Sequence, residues 1–246
     1  MKRCLLFAPL FLMTLSAFAA DLPEVPSKPI AQKKDLLFSD DFNRSDLGKA
    51  WGNVVPTFTV EDNALKGTQT RIDKPAEGGK PAVKGHQAVI GNDVPTKDSI
   101  IQVRFKFAGA TAMSVEFDDR KFTGSHYGHI CFCRMTPKSV ILADQKEGSM
   151  RNDIYAMTDK SQQKEKAKML VGRIASFPVT LEQNKWYTLD LELAGDQMRA
   201  SIDGKPVAYL KSPGIAHPTK SKIELGCAGQ SGFFDDIKIW NAEPVK

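Results

Sequence analysis

Residues 99–118 read SIIQVRFKFAGATAMSVEFD, and this stretch decides the fold. On both sides of the small Ala-Gly-Ala break at 108–110, apolar residues fall at every second position and mostly alternate with polar ones. Successive side chains of a β-strand point to opposite faces, so each half predicts a strand with one buried face. Short alternating runs separated by Gly, Pro, Asn and Asp are the usual signature of an antiparallel sandwich or barrel.

The same pattern recurs along the chain and predicts strands at 99–107, 111–118, 128–134, 139–143, 185–193, 197–202, 206–211, 222–227 and 233–240. Asp203-Gly204 suits the positive φ angles of a tight hairpin turn. The lysine-rich stretch 157–172 breaks the pattern and predicts a short helix or a mobile insertion. Its lysines form either a solvated face or a docking patch for an acidic glycan. We therefore predict an all-β protein, an antiparallel β-sandwich of the jelly-roll type.

Alternation also assigns each strand's faces. In the strand at 99–107, Arg104 points outward, and at 111–118 Glu116 and Asp118 point outward. At 128–134 we expect Ile130 and Phe132 to form a core pair. The residues expected on the outer face of that strand are His129, Cys131 and Cys133. At 185–193 Trp186 is expected to point outward.

The first nineteen residues have the order of a secretory signal peptide. Lys2 and Arg3 precede an apolar run at 5–15, and Ala17-Phe-Ala19 fits the cleavage rule. The alternative is a membrane anchor, but a span takes about 20 apolar residues. We expect residues 1–19 to be a signal peptide, 20–34 a proline-rich linker and 35–246 one sandwich domain. The product would be exported, periplasmic or extracellular, without stable membrane insertion after cleavage.

The net charge limits the classes of partner, and the cysteine count predicts the disulfide content. Without Lys2 and Arg3 the 34 basic residues fall to 32 against 29 acidic ones, a formal net charge of +3. This is too weak to indicate a nucleic-acid partner. Cys131, Cys133 and Cys227 remain after cleavage. An odd number in an oxidising compartment predicts one disulfide, from Cys227 to either of the other two, and one free thiol.

An ordered set of short motifs carries a family resemblance. The motifs are LFSDDF at 37–42, Trp51, FTVEDNAL at 58–65, NKWY at 184–187, IDGKPV at 202–207 and GFFDDIKIW at 232–240. Over residues 35–241 the chain resembles the secreted bacterial family of 3-keto-disaccharide hydrolases (DUF1080-like). The resemblance implies a LamG or concanavalin A-like lectin/glucanase fold and an exported, carbohydrate-related hydrolase.

One departure from that family concerns the middle strands. The family usually carries a glutamate-glutamine-aspartate stretch there, and this chain reads HYGHICFCR at 126–134. No catalytic residue is therefore carried over from the family.

Three residues are the candidate catalytic groups. Glu116 and Asp118, two apart on one strand face, have the spacing of paired carboxyl groups in glycoside hydrolysis; the alternative is two solvated carboxylates. His129 could serve as a base or a substrate contact. Alternatively, His126, His129, Cys131 and Cys133 could hold zinc or copper, which competes with the expected disulfide.

Three further residues are candidate substrate contacts for a carbohydrate ligand: Arg104, Tyr127 and Trp186. A ketone at C3 acidifies the C2 proton of a sugar, so a base and a cation such as Arg104 could cleave a 3-keto-glycoside by elimination and rehydration. Two functions follow. One is a hydrolase of a glycoside or 3-keto-glycoside, and the other is a non-catalytic glycan-binding or structural envelope protein. No sequence feature specifies an oligomeric state.

Asp40 and Asp235 fall on the apolar phase of their strands. Buried carboxylates need backbone donors, an arginine or a hard cation. Because terminal strands of jelly rolls often lie side by side, Asp40 and Asp235, with Asp41 and Asp236, could share a structural calcium ion. The alternative is ordinary hydrogen bonding to a turn. Apart from this calcium ion and the zinc or copper alternative at 126–133, no cofactor is expected.

Overall fold

Two antiparallel sheets pack face to face in the computed structural model, which describes residues 22–55, 57–78 and 80–245. The predicted signal peptide lies outside the described residues. The strands are β1 (Ala31–Asp40), β2 (Gly52–Val55), β3 (Phe58–Glu61), β4 (Ala64–Gly67), β5 (Ala88–Asn92), β6 (Ser99–Phe107), β7 (Ala110–Asp118), β8 (His129–Met135), β9 (Ser139–Asp144), β10 (Ile174–Pro178), β11 (Trp186–Ala194), β12 (Gln197–Ile202), β13 (Lys205–Lys211), β14 (Lys222–Gly229) and β15 (Gly232–Pro244). Two short helices, α1 (Asn152–Tyr155) and α2 (Gln163–Met169), lie between β9 and β10.

The strand order is that of a jelly roll. One sheet runs β13-β12-β11-β6-β15-β4-β3, and β1 also pairs with β15. The other runs β10-β9-β8-β7-β14-β5-β2. The terminal strands β1 and β15 are antiparallel neighbours, with Asp40 opposite Ile237. The predicted antiparallel β-sandwich and the expected pairing of the terminal strands are confirmed.

The core lies between the two sheets, and strand alternation fills it as predicted. The fully buried residues at expected inward positions include Ile101, Val103, Phe105, Phe107, Met113, Val115, Phe117, Leu189 and Leu191. Each such side chain stabilises the fold by about 1.5–3 kcal/mol relative to exposure. The outer face of the seven-stranded sheet is thereby available to polar side chains such as Glu116 and Asp118.

A β-bulge changes the predicted faces of β8. Cys131 is opposite Phe117 and His129 is opposite Asp118, so Ile130 is an extra residue in this ladder. Cys131 and Cys133 consequently point into the core. The prediction that they share a face with His129 was wrong, and so was the core pair, because Phe132 lies opposite Glu116 on the outer face. A metal site made of His129 and the two thiols is excluded by these directions.

The local turn and helix predictions are confirmed. Asp203 and Gly204 have φ of 49° and 75°, as the predicted hairpin turn requires. The lysine-rich stretch forms α2, preceded by a turn in which Asp159 accepts a hydrogen bond from the Ser161 backbone N–H. No residue of α2 is buried.

The ordered sandwich begins before residue 35. Strand β1 starts at Ala31, inside the stretch predicted as linker. Arg199 donates to the Pro26 carbonyl at 2.8 Å. Its buried ion-pair partner, Glu192, accepts from the Ile30 N–H at 2.6 Å. The segment before β1 is therefore fixed to the eight-stranded sheet rather than free of it.

Cys131, Cys133 and Cys227 are buried free thiols, which corrects the predicted disulfide. Burial raises the pKa of Cys131 and of Cys227 to about 12, so both stay protonated at neutral pH. Cys227 Sγ donates to the Gly67 carbonyl at 3.3 Å instead. Within the described ranges no helix has the length and apolar character needed to cross a bilayer.

Candidate functional site

A cleft of about 1060 Å³ lies on the outer face of the seven-stranded sheet. Its floor consists of Glu116 and Asp118 on β7, His129 on β8, and Lys222 and Glu224 on β14. Glu116 and Asp118 are only 5% and 4% exposed, so they are not the solvated surface carboxylates that the alternative interpretation described. The predicted catalytic trio therefore does come together in one cleft.

Sheet register aligns the floor in two rows. Glu224 is directly opposite Glu116, and Lys222 is directly opposite Asp118. His129 follows on the other side of Asp118. Directly opposite residues of an antiparallel pair have Cβ atoms about 4.5–5.5 Å apart. The floor is thus a compact array of acids and bases on three adjacent strands.

Glu116 is held by neutral donors. Ser114 Oγ and Gln87 Nε2 each donate to Glu116 Oε1 at 2.8 Å. Arg134 Nη2 lies 4.0 Å from the same oxygen. Gly226 makes room for this network, because a Cβ there would lie 2.3 Å from Ser114 Oγ and 2.8 Å from Gln87 Nε2. These donors fix the direction of the Glu116 carboxyl group.

Asp118 and His129 form a hydrogen-bonded pair, with Oδ1 and Nδ1 2.8 Å apart. Burial opposes the imidazolium, but the hydrogen bond to Asp118 and the charges of Asp118, Glu116 and Glu224 outweigh it and raise the pKa of His129. With Nδ1 engaged by Asp118, Nε2 is the ring nitrogen left for a ligand.

Glu224 has the most perturbed carboxyl group of the floor. Burial and the negative charge of Asp118 raise its pKa to about 7, against the opposing contact with the Lys222 ammonium. Lys222 reaches Glu224 because Gly91 has no side chain, and a Cβ at Gly91 would lie 2.3 Å from Lys222 Cε. A carboxyl group that titrates near neutrality is suited to donating a proton.

Aromatic side chains line the rim above His129. Tyr127 is 83% exposed and has a left-handed φ of 51°. His126 stacks on Tyr155 with ring centroids 3.8 Å apart. The loop that carries Tyr127 is closed by the Asp119 N–H, which donates to the Gly128 carbonyl at 2.9 Å. Of the predicted substrate contacts, Tyr127 is therefore at the cleft.

Arg104 and Trp186 are not at the cleft. Both lie on the outer face of the eight-stranded sheet, on the opposite side of the sandwich from Glu116. The Arg104 guanidinium lies 4.7 Å from the Trp186 ring centroid and 3.0 Å from Asp235. Their predicted role beside the catalytic trio was wrong, because alternation shows that a side chain points outward but not from which sheet.

The residues predicted to bind calcium do not fit a hard cation. Both oxygens of Asp40 are taken by the Arg44 guanidinium at 2.6 and 2.7 Å, with further donation from Trp51 Nε1 and the Phe42 N–H. Asp235 instead faces Arg104. Within the described residues no group of three or more His, Cys, Asp or Glu side chains could hold a metal. The alternative, hydrogen bonding to a turn, accounts for Asp40.

The cleft residues that the sequence analysis did not identify include Gln87, Arg134, Lys222 and Glu224. For two of them a signal was available. In the predicted strand 222–227, Lys222 and Glu224 alternate with Ile223 and Leu225, which marks them as outward. Gln87 comes from a loop and offers no comparable pattern.

Fold and cleft together define the class, a concanavalin A-like jelly roll with an acidic and basic array on one outer face. No family model and no curated protein matches the chain. Solved structures do.

An endo-β-1,3-glucanase from Pyrococcus furiosus superposes with a TM-score of 0.56 at 9% identity, over 89% of this chain and 100% of that one. A laminarinase from Flavobacterium sp. UMI-01 superposes with a TM-score of 0.54 at 13% identity, over 84% of this chain and 100% of that one. A non-specific endo-β-1,3(4)-glucanase of family GH16 superposes with a TM-score of 0.54 at 11% identity, over 89% of this chain and 97% of that one. At these identities the likeness shows the jelly-roll fold.

Proposed function

We propose that the protein is a carbohydrate-active hydrolase that cleaves a glycoside in the cleft. The observation that carries the proposal is the pair of opposed carboxyl groups, Glu116 and Glu224, on the cleft floor. Their environments differ: Glu116 is held by hydrogen-bond donors, whereas the pKa of Glu224 is raised by burial and by Asp118. Two carboxyl groups in contrasting environments are the usual basis for acid and nucleophile or base roles in glycoside hydrolysis.

The roles follow from these environments. Glu224, protonated near neutral pH, donates its proton to the glycosidic oxygen as the bond to the anomeric carbon breaks. Glu116, as a carboxylate, attacks the anomeric carbon or activates water. His129 donates from Nε2 to a sugar oxygen while Asp118 fixes its ring. Tyr127 provides a stacking surface at the rim.

The finer proposal is a 3-keto-glycoside substrate, supported by the sequence resemblance to 3-keto-disaccharide hydrolases. Glu116 would remove the C2 proton, the C1–O bond would break with protonation by Glu224, and water would then add. The ketone oxygen needs a cationic partner. Arg134 or His129 takes that role in place of Arg104, since both line the cleft.

We also propose that the protein is exported, to the periplasm or the extracellular space. The support is the charged, apolar and small-residue order of residues 1–19. Intact-mass measurement of secreted material tests this, and a mature species that retains Met1 contradicts it.

The test of the hydrolase is product release by the purified protein from laminarin, mixed-linkage β-glucan, methyl 3-keto-glucoside, tetragalacturonate and a sulfated carrageenan tetrasaccharide. Glu116→Gln and Glu224→Gln should each lower the rate at least about 100-fold, or about 2.7 kcal/mol. Glu182→Gln is the matched control, because Glu182 is an exposed glutamate paired only with Lys185. Cleavage that persists in both cleft variants, or no cleavage of any substrate, contradicts the proposal.

A second candidate is a non-catalytic glycan-binding protein. Each floor acid already has a partner: Arg134 for Glu116, His129 for Asp118 and Lys222 for Glu224. Tyr127 offers an exposed aromatic platform beside them. If the parent binds these glycans without product and Tyr127→Ala weakens binding at least about tenfold, this second function replaces the first.

A further inference from the structure

The acids on the cleft floor are offset by neighbouring cations. Glu116 lies 4.0 Å from Arg134, Asp118 lies 2.8 Å from His129, and Glu224 contacts Lys222. Each acid of the floor thus has a cationic neighbour, and the floor carries no excess of negative charge.

One wall is basic. It is formed by the described residues between β4 and β5, 68–78 and 80–87, which fold back through bridges such as Arg71 to His86 and Lys74 to Val83. Arg71 and Lys84 of this loop line the cleft. Within the described ranges neither has a carboxylate partner within 4.0 Å. By contrast, Arg120 on the other wall is paired with Asp93 at 2.8 Å.

Both cations line the cleft. Arg71 Nε donates to the Lys84 backbone carbonyl at 2.9 Å, which ties the Arg71 guanidinium to the backbone of Lys84. Burial, the charge of His129 and the charge of Lys84 lower the pKa of His126, which lies on the cleft rim. The charge of Lys84 therefore acts on His126, which also lines the cleft.

We infer that the glycan bound in the cleft is anionic and carries carboxylate or sulfate groups, an inference that rests on the proposed carbohydrate function. A guanidinium and an ammonium that have no carboxylate partner among the described residues match such groups, and Arg recognises them with paired N–H donors. A neutral glucan would leave both cations without a counter-charge in the complex.

The test is binding measured by calorimetry with matched ligands. Tetragalacturonate is compared with its methyl ester, and a sulfated carrageenan tetrasaccharide with its desulfated form. The expected result is at least about tenfold tighter binding of one charged ligand than of its neutral partner. Arg71→Gln with Lys84→Gln should abolish that preference, so that the charged ligand and its neutral partner bind equally. Which charged ligand wins distinguishes carboxylate from sulfate.

The matched control is Lys164→Gln with Lys168→Gln, which also removes two positive charges, from the exposed helix α2. This control should keep the preference. Equal binding of charged and neutral partners, or an equal effect of the control pair, overturns the inference. Cleavage of neutral glucans without any charge preference overturns it while the hydrolase stands. Preferential binding of a charged ligand without cleavage upholds it while the hydrolase fails.

Discussion

Asp118 and His129 face each other across a β-bulge, with Asp118 Oδ1 and His129 Nδ1 2.8 Å apart. The extra residue, Ile130, turns into the core and so rotates the start of β8 by one position. His129 thereby reaches the same face as Glu116 and Glu224. Bulges commonly redirect a side chain next to a functional site.

This pairing makes the stability of the protein depend on pH. The pKa of His129 is raised in the fold, so its stabilisation is complete below the unfolded value of about 6.5 and is lost as pH rises through the folded value. Asp118→Asn should therefore lower the melting temperature more at pH 5.5 than at pH 9. Calorimetry at the two pH values measures the difference in melting temperature between the parent and Asp118→Asn. A difference of the same size at both pH values would show that the pair does not titrate in this range.

Glu224 should control the alkaline side of the activity profile. Its pKa is raised to about 7, so the proton that it donates is lost as pH rises above that value. The logarithm of kcat for the parent should fall with a slope of about −1 above pH 7. Glu224→Gln should have a low and flat profile over the same range. If the rate of the variant still falls above pH 7 as that of the parent does, another group is responsible for the alkaline decrease.

Gly226 should be needed for the direction of Glu116. A Cβ at position 226 would collide with Ser114 Oγ and Gln87 Nε2, the two donors to Glu116. Gly226→Ala should lower kcat/KM about tenfold, or about 1.4 kcal/mol. Gly52→Ala is the control in the same sheet, because its Cβ would meet only the Gly91 carbonyl oxygen at 3.9 Å. Equal effects of the two variants would contradict this role.

Of the two aspartates predicted to bind calcium, Asp40 should contribute more to the stability of the fold than Asp235. Asp40→Asn weakens its bonds to Arg44 and Trp51 and should cost about 1.5–3 kcal/mol of unfolding free energy. Burial opposes ionisation, but the bonds from Arg44, Trp51 and Phe42 lower the pKa of Asp40, so this stabilisation is present above about pH 4 and is lost as pH falls through the folded value. Urea unfolding measures both.

Two comparisons isolate the Asp40 effect. Asp235→Asn should cost less, because burial and the charges of Asp236 and Asp41 raise the pKa of Asp235 and oppose its ionised form. Asp62→Asn should change little, since asparagine also tolerates the φ of 53° in that turn. A melting temperature that falls on addition of a chelator would reinstate calcium.

The fold was predictable because its signals are local. The alternation from Ile101 to Phe117 fixes which side chains enter the core, and Asp203-Gly204 fixes a turn. The site was only partly predictable. Glu116, Asp118 and His129 do share a face, but for His129 this depends on Ile130 as a bulge, which a period-two pattern does not reveal. Arg104 was misplaced because strand order, a long-range property, decides which sheet each strand joins.

The buried thiols of Cys131, Cys133 and Cys227 have a kinetic consequence for a chain secreted as proposed. In the unfolded chain each thiol has a pKa of about 8.5 and is accessible to oxidants, which can convert it to a disulfide. In the native protein all three are buried, and none is paired. Folding and thiol oxidation therefore compete for the newly secreted chain. Substitutions that slow sheet assembly without weakening the native state would still reduce the yield of folded protein, because more chains would form disulfides before they fold.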